Sequence, residues 1–141
     1  MFIRKAELSD AAHLSALSEQ LGYTVTPEDM AARLDKIFNE ADHAVFVMET
    51  ENSVAGWVHI HGRHLLESPA FAEIGGLVVD SAHRRKGIGE KLMRQCEQWA
   101  REKGYAAVRL RSSDQRKEAH EFYKRIGYDN VKAQQVFHLK L

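Results

Sequence analysis

Apolar residues recur along the chain with two periods, and the places where one period gives way to the other mark out the elements. Phe2 to Arg4 reads as a short strand, after which Ser9 and Asp10 can cap a helix with Ala11, Leu14, Leu17 and Leu21 on one face and Gly22 as its stop. Thr26 before Pro27 and Glu28 predicts a second helix start, with Met30, Leu34, Ile37 and Phe38 as the apolar stripe. Ala44 to Thr50 and Val54 to His61 are β-rich runs parted by the polar Glu51-Asn52-Ser53, the pattern of an antiparallel hairpin.

Phe71 to Val79 predicts a further strand, and from Gly87 to Lys103 the period turns helical, carried by Ile88, Leu92, Cys96, Trp99 and Ala100 until Gly104. Ala107 to Leu110 is a strand reached by a short return, which a right-handed crossover would lay parallel to Phe71–Val79. Glu118 to Ile126 makes the last helix with Gly127 as its stop. Phe137, Leu139 and Leu141 then alternate with His138 and Lys140 as a closing strand, and Tyr128 to Ala133 has room for one more. This order predicts an α/β fold (α+β by another convention), a mixed and mostly antiparallel sheet with helices on both faces. The length, 141 residues, suits one domain over residues 1–141.

Charge changes the picture by what it removes. Twenty Lys plus Arg balance twenty Asp plus Glu, so no global field draws the chain to nucleic acid or to an anionic membrane, and anion binding has to be local. One Cys, Cys96, forms no internal disulfide, and the Met1–Glu7 stretch lacks the apolar run of a signal peptide, so the expected compartment is the cytoplasm. No apolar run approaches the roughly 18 residues of a membrane span.

The local anion site is legible. After Leu77-Val78-Val79-Asp80 the chain runs Arg84-Arg85-Lys86-Gly87-Ile88-Gly89 straight into a helix, gathering unpaired backbone N–H groups at one point. Gly87 and Gly89 remove side chains where a diphosphate must approach the backbone, and Arg84, Arg85 and Lys86 add cationic donors. A dinucleotide fingerprint would need glycine where Leu92 stands, and no P-loop is present. Gly75-Gly76 within a strand marks a bulge or a close approach by a backbone or ligand.

Arg-x-x-Gly-x-Gly after a strand, followed some thirty residues later by Glu118-Ala119-His120-Glu121-Phe122-Tyr123-Lys124-Arg125-Ile126-Gly127-Tyr128, resembles the GCN5-related N-acetyltransferase family over Phe71 to Tyr128. The resemblance implies the acyl-CoA N-acyltransferase fold and acetyl-CoA as cosubstrate. It also implies that the Arg84–Gly89 loop cradles the pyrophosphate and that the backbone of Leu77, Val78 and Val79 bonds the pantetheine arm and acetyl carbonyl. Many relatives carry Asn three residues before the alanine that corresponds to Ala119; here that position is Arg116.

An alkylammonium has a pKa near about 10, so amine attack is helped by a base. Phe71-Ala72-Glu73-Ile74 resembles the segment that carries the catalytic Glu of histone-acetylating relatives, which makes Glu73 the first candidate. A departing thiolate can take a proton from a phenol, and the resemblance assigns that role to Tyr123. The expected function is direct acetyl transfer to a primary amine, with a small molecule as acceptor and no metal. Peptide acetylation and non-catalytic acyl-CoA sensing are the alternatives. The resemblance implies that Leu21 to Asp29 borders the acceptor groove, with Tyr23, Glu28 and Asp29 suited to a cationic amine. His59, His61, His64 and His83 come without a metal-binding frame and stay unassigned. Cys96 falls in an apolar stripe, which argues against a covalent acetyl-cysteine route. The resemblance implies pairing through sheet edges, which would give a homodimer.

Overall fold

Each strand of the sheet lies beside its neighbour in sequence, β2 to β4 joined by short connections and the outer strands reached through helices. The computed structural model describes Met1–Leu141, and its strands are β1 (Phe2–Lys5), β2 (His43–Glu49), β3 (Val54–Arg63), β4 (Phe71–Val79) and β5 (Val108–Leu110), in the order β1-β2-β3-β4-β5. The predicted hairpin closes where Thr50 N–H donates to the Ser53 carbonyl at 2.8 Å, and β2 and β3 pair antiparallel around it. β4 pairs antiparallel with β3, and β5 pairs parallel with β4, as the crossover rule requires. The helices are α1 (Ala11–Glu19), α2 (Pro27–Phe38), α3 (Ile88–Glu102) and α4 (Lys117–Arg125).

The chain divides into two compact units, Met1–Leu110 and Arg111–Leu141. In the first, α1 and α2 bury Leu14, Leu17, Met30 and Leu34 against Val45, Val47 and Val78 on one sheet face. The opposite face takes α3, which buries Ile88, Leu92, Met93, Cys96, Trp99 and Ala100. Gly56 permits that contact: a Cβ there would stand 2.9 Å from the Val78 carbonyl and 3.3 Å from Leu92, so its absence lets the first turns of α3 settle on the sheet. The second unit contains α4, which is followed by Gly127 at φ +108°.

Two expectations are corrected. Residues 128–141 form no strand, and Phe137, Leu139 and Leu141 are 89%, 82% and 110% exposed. Alternation prepares a segment for a sheet, but a strand exists only where a neighbouring backbone completes its ladder, and this sheet ends at β5. Neither Ser9 nor Asp10 caps α1 with its side chain. Asp10 instead closes a 3-10 turn over Leu8–Asp10, its Oδ2 accepting from Glu7 N–H at 2.7 Å. Thr26 does cap α2, accepting from Asp29 N–H at 3.0 Å.

Arg4 explains why Asp10 is used this way. Its guanidinium donates to both Asp10 oxygens at 2.9 Å, and its Nε donates to Glu49 at 2.7 Å, tying β1, β2 and the start of α1 together. The Arg4 bonds hold the Asp10 carboxyl below the usual range despite its burial. Asp10→Ala takes two hydrogen bonds from Arg4, which keeps Glu49, and leaves the Glu7 N–H without its acceptor, so it should lower the unfolding free energy by about 2 kcal/mol, measured by urea denaturation at neutral pH.

Candidate active site

β4 runs without interruption into a loop shaped for an anion. Asp80 Oδ1 accepts from Ala82 N–H at 3.1 Å and opens a 3-10 turn over Ser81–His83. Gln20, just past α1, holds the root of this turn by donating to Asp80 Oδ1 at 3.2 Å and accepting from Ser81 N–H at 2.9 Å. Arg85 lies in the left-handed region at φ +66° and Gly87 at φ +74°, after which α3 begins at the buried Ile88. The chain thus turns twice against its preferred hand to present the first N–H groups of α3, with Arg84, Arg85 and Lys86 exposed around them. A Cβ on Gly87 would meet nothing within 4 Å, so conformation and not local crowding demands glycine there.

The adjoining strand is open. β5 pairs with β4 only at Ala72, Glu73 and Ile74, while β4 continues to Val79. Beyond Ile74 the outer edge of β4 has no strand partner, and alternate N–H and C=O groups of Gly75 to Val79 are free for an extended ligand. The β3–β4 register also slips here, with His59 opposite Gly76 and Ile60 opposite Ile74, so Gly75 is a bulge. The close approach that these glycines allow comes from side chains of β3. A Cβ on Gly75 would lie 2.6 Å from His59 Nδ1, and one on Gly76 would lie 2.8 Å from the Trp57 ring.

Glu73 sits on the same stretch, 8% exposed. Its Oε2 accepts from Arg63 Nη1 at 3.0 Å and faces His61 Nε2 at 3.8 Å. His43, His59 and His61 stack with ring centroids 5.0 to 5.3 Å apart, and His43 Nδ1 and His59 Nε2 share a hydrogen bond of 3.0 Å. Burial, then the neighbouring His61 and His43, pushes the His59 pKa down to about 4. His43, Arg63, Trp57 and Gln20 are the residues that sequence reasoning missed. The hairpin register would have found His43, since it stands opposite His61.

His64 and His83 serve elsewhere. His64 meets Asp42 at 3.3 Å, where Tyr105 OH also donates at 2.6 Å, and His83 meets Asp80 at 3.3 Å. No three His, Cys, Asp or Glu side chains converge to hold a metal ion. Cys96 is fully buried, and desolvation raises its thiol pKa to about 12, so it offers no thiolate. Tyr23 is 61% exposed, and Glu28 and Asp29 lie in the first turn of α2. In the second unit Tyr123 is half-buried on α4, its ring beside Phe122 and Tyr128. Desolvation raises its pKa, opposed by Arg116, so the phenol keeps its proton at neutral pH. Arg116 is exposed and precedes α4 without capping it through its side chain.

A β-strand unpaired along part of one edge and leading into a glycine-turned helix start could take a long ligand with a phosphate at one end. Residues 11–128 match the sequence model of the acetyltransferase (GNAT) family, and the chain belongs to that family. It is 32% identical to N-acetyltransferase 8 of Homo sapiens over 104 residues, 71% of this chain and 44% of that protein. It is 36% identical to the aminoalkylphosphonate N-acetyltransferase of Salmonella typhimurium over 76 residues, 53% of this chain and 49% of that one. The chain therefore spans about half the length of these curated relatives. Its fold matches the aminoglycoside N-acetyltransferase AAC(6')-Iy in complex with CoA, with TM-score 0.87 and 18% identity over 99% of this chain and 93% of the other. No helix is long and apolar enough to cross a membrane.

The low pKa of His59 sets a window for stability. The unfolded chain takes up a proton on this residue below about 6.5, while the folded chain resists until about 4, so its contribution is fully present above 6.5 and is lost as pH falls towards 4. His43 is shifted the same way, whereas Asp10, Asp42 and Asp80 act only below their ordinary 3.8. Urea midpoints measured at both ends of the upper window should show a clear fall for the native chain and a smaller one for His59→Phe.

Proposed function

We propose that this chain transfers the acetyl group of acetyl-CoA directly to a primary amine of a small molecule. The observation that carries the reading is the continuous run from the unpaired edge of β4 into the left-handed turn at Gly87 and the start of α3. In this reading Arg84, Arg85, Lys86, Gly87, Ile88 and Gly89 grip the pyrophosphate. The backbone of Leu77, Val78 and Val79 bonds the extended pantetheine arm. From Val79 back to Gly75 is about 13 Å at the rise of a strand, so an arm lying along this edge brings its thioester towards the bulge. Free backbone donors at the bulge would stabilise the oxyanion formed on attack.

Glu73 supplies the carboxylate of the acceptor side, drawing in a cationic amine and standing as the carboxylate candidate for the base. Tyr123, kept protonated by its surroundings, returns a proton to the departing thiolate. The exposed Arg116 leaves no amide side chain at the position where many relatives have Asn, so the cofactor is held here without that contact. Residues 1–141 work as a single acetyltransferase domain in this account, in the cytoplasm, as a monomer or a homodimer. Acceptors of the kind named for the aminoalkylphosphonate and aminoglycoside relatives support a small-molecule substrate. Peptide acetylation and acyl-CoA sensing are the competing readings.

The test incubates the chain with acetyl-CoA and kanamycin, aminomethylphosphonate, spermidine or a lysine peptide, and reads mass gains of one acetyl group. Modification of the first three supports the proposal, modification of the peptide alone transfers it to protein substrates, and acetyl-CoA binding without any modification leaves a sensor. Gly87→Val forces a β-branched residue into a left-handed turn and should weaken acetyl-CoA binding at least roughly tenfold in a calorimetric titration. Tyr123→Phe should lower kcat roughly 100-fold with acetyl-CoA affinity unchanged.

A further inference from the structure

His43, His59 and His61 share one sheet face for a simple reason: His43 stands opposite His61 in the β2–β3 register, and His59 is two residues back along β3. Stacking alone would give the three rings no role beyond packing. His59 differs in what its two nitrogens meet. Nδ1 lies against Gly75, within 2.6 Å of where a Cβ would stand, and Nε2 is 3.0 Å from His43 Nδ1. A neutral imidazole with one nitrogen at a bulge and the other bonded to a second imidazole can take a proton at one end and release another at the far end. His61 stands outside this path, because its Nδ1 donates to the Gly62 carbonyl at 3.2 Å and its Nε2 faces Glu73.

Resting on the acetyl-transfer reading above, we propose that His59 is the catalytic base and that His43 carries the proton from it to solvent. The bond between the ammonium nitrogen and one hydrogen breaks as a bond from that hydrogen to His59 Nδ1 forms. The hydrogen on His59 Nε2 moves to His43 Nδ1, and the one on His43 Nε2 leaves to water. The electron pair left on the amine forms the bond to the acetyl carbon, the C–S bond then breaks with its electrons on sulfur, the thiolate takes the Tyr123 proton, and the second proton lost from the nitrogen as the amide forms restores that phenol. One proton is released per turnover, which balances an ammonium and a thioester giving an amide and a thiol. Exchange with water restores the two tautomers once the site empties.

The surroundings suit a path that stays uncharged between turnovers. His59 is flanked by the two other imidazoles, Glu40 and Asp42 act on His43, and Glu73 and Arg63 lie on the His61 side. Burial and the neighbouring imidazoles hold both relay rings below their ordinary pKa, against the opposite pull of Glu40 and Asp42 on His43. Glu73 has one oxygen engaged by Arg63 at 3.0 Å, which suits it to fix charge at the site more than to cycle a proton.

His59→Phe and His43→Phe keep a stacked ring and remove its nitrogens. Each is compared with the native chain on whichever of kanamycin, aminomethylphosphonate or spermidine it acetylates fastest, from about pH 6.5 to the amine pKa near about 10. His59→Phe should lose roughly 100-fold in kcat at neutral pH, keep its acetyl-CoA affinity, and recover most of the loss as the amine deprotonates itself. His43→Phe should lose roughly tenfold with the same pH trend, and Glu73→Gln should act mainly on the amine KM. Native kcat and pH profile in His59→Phe, or a loss equal at every pH, overturns the relay while leaving the transfer reading intact. A native chain that acetylates none of the three amines overturns the transfer reading, and the relay with it, before any variant is made.

Discussion

β5 gives β4 three residues of pairing and no more, and the candidate site depends on that shortfall. A strand interior to a sheet spends its backbone groups on its neighbours. β4 spends them on β3 along its length but on β5 only at Ala72, Glu73 and Ile74, so an extended row of donors and acceptors is left at one edge. Unpaired edges invite aggregation and proteins usually blunt them. Here the bulge at Gly75 falls where the pairing stops, turning the edge into a feature of limited length.

The two sides of the sheet divide the remaining work. α1 and α2 fill one face with aliphatic packing around Val45, Val47 and Val78, and beyond them the same face carries Trp57, His59, His61 and Arg63 at alternate positions of β3. α3 fills the opposite face, seated by the missing side chain of Gly56, which fixes where its N-terminal amides point. Gln20 links these arrangements, since the end of α1 holds the turn that leads to α3. A polar contact between two loops, with no signature in the local sequence, therefore steadies the approach to the helix start.

Buried charge and buried imidazole are handled differently across the first unit. Asp10 and Glu73 each keep an arginine, at 2.9 and 3.0 Å, which offsets the loss of solvent. His59 instead is surrounded by other imidazoles and stays neutral. A carboxylate has no neutral form at pH 7 without a large shift, whereas an imidazole reaches one cheaply, and the choice of residue type follows from that difference.

Local rules were enough for most of the elements and for the turn into α3. Thr26 with Pro27, the Glu51–Ser53 turn, the stripe from Ile88 to Ala100 and the glycine at the start of α3 are short-range patterns, and the structure forms each of them near its expected bounds. Phe137, Leu139 and Leu141 show the limit of such patterns, because their alternation is local while a ladder needs a second backbone. Asp10 was legible as a cap residue, but Arg4 and Glu7 claim its oxygens first. The sequence by itself determined where the chain can turn, which faces are apolar and where basic residues and glycines gather before a helix, since those depend on neighbours within a few residues. Only the tertiary structure decided that Arg63 meets Glu73, that β5 stops short of the β4 edge and that His59 stands between Gly75 and His43, because register and bulge placement bring together residues far apart along the chain.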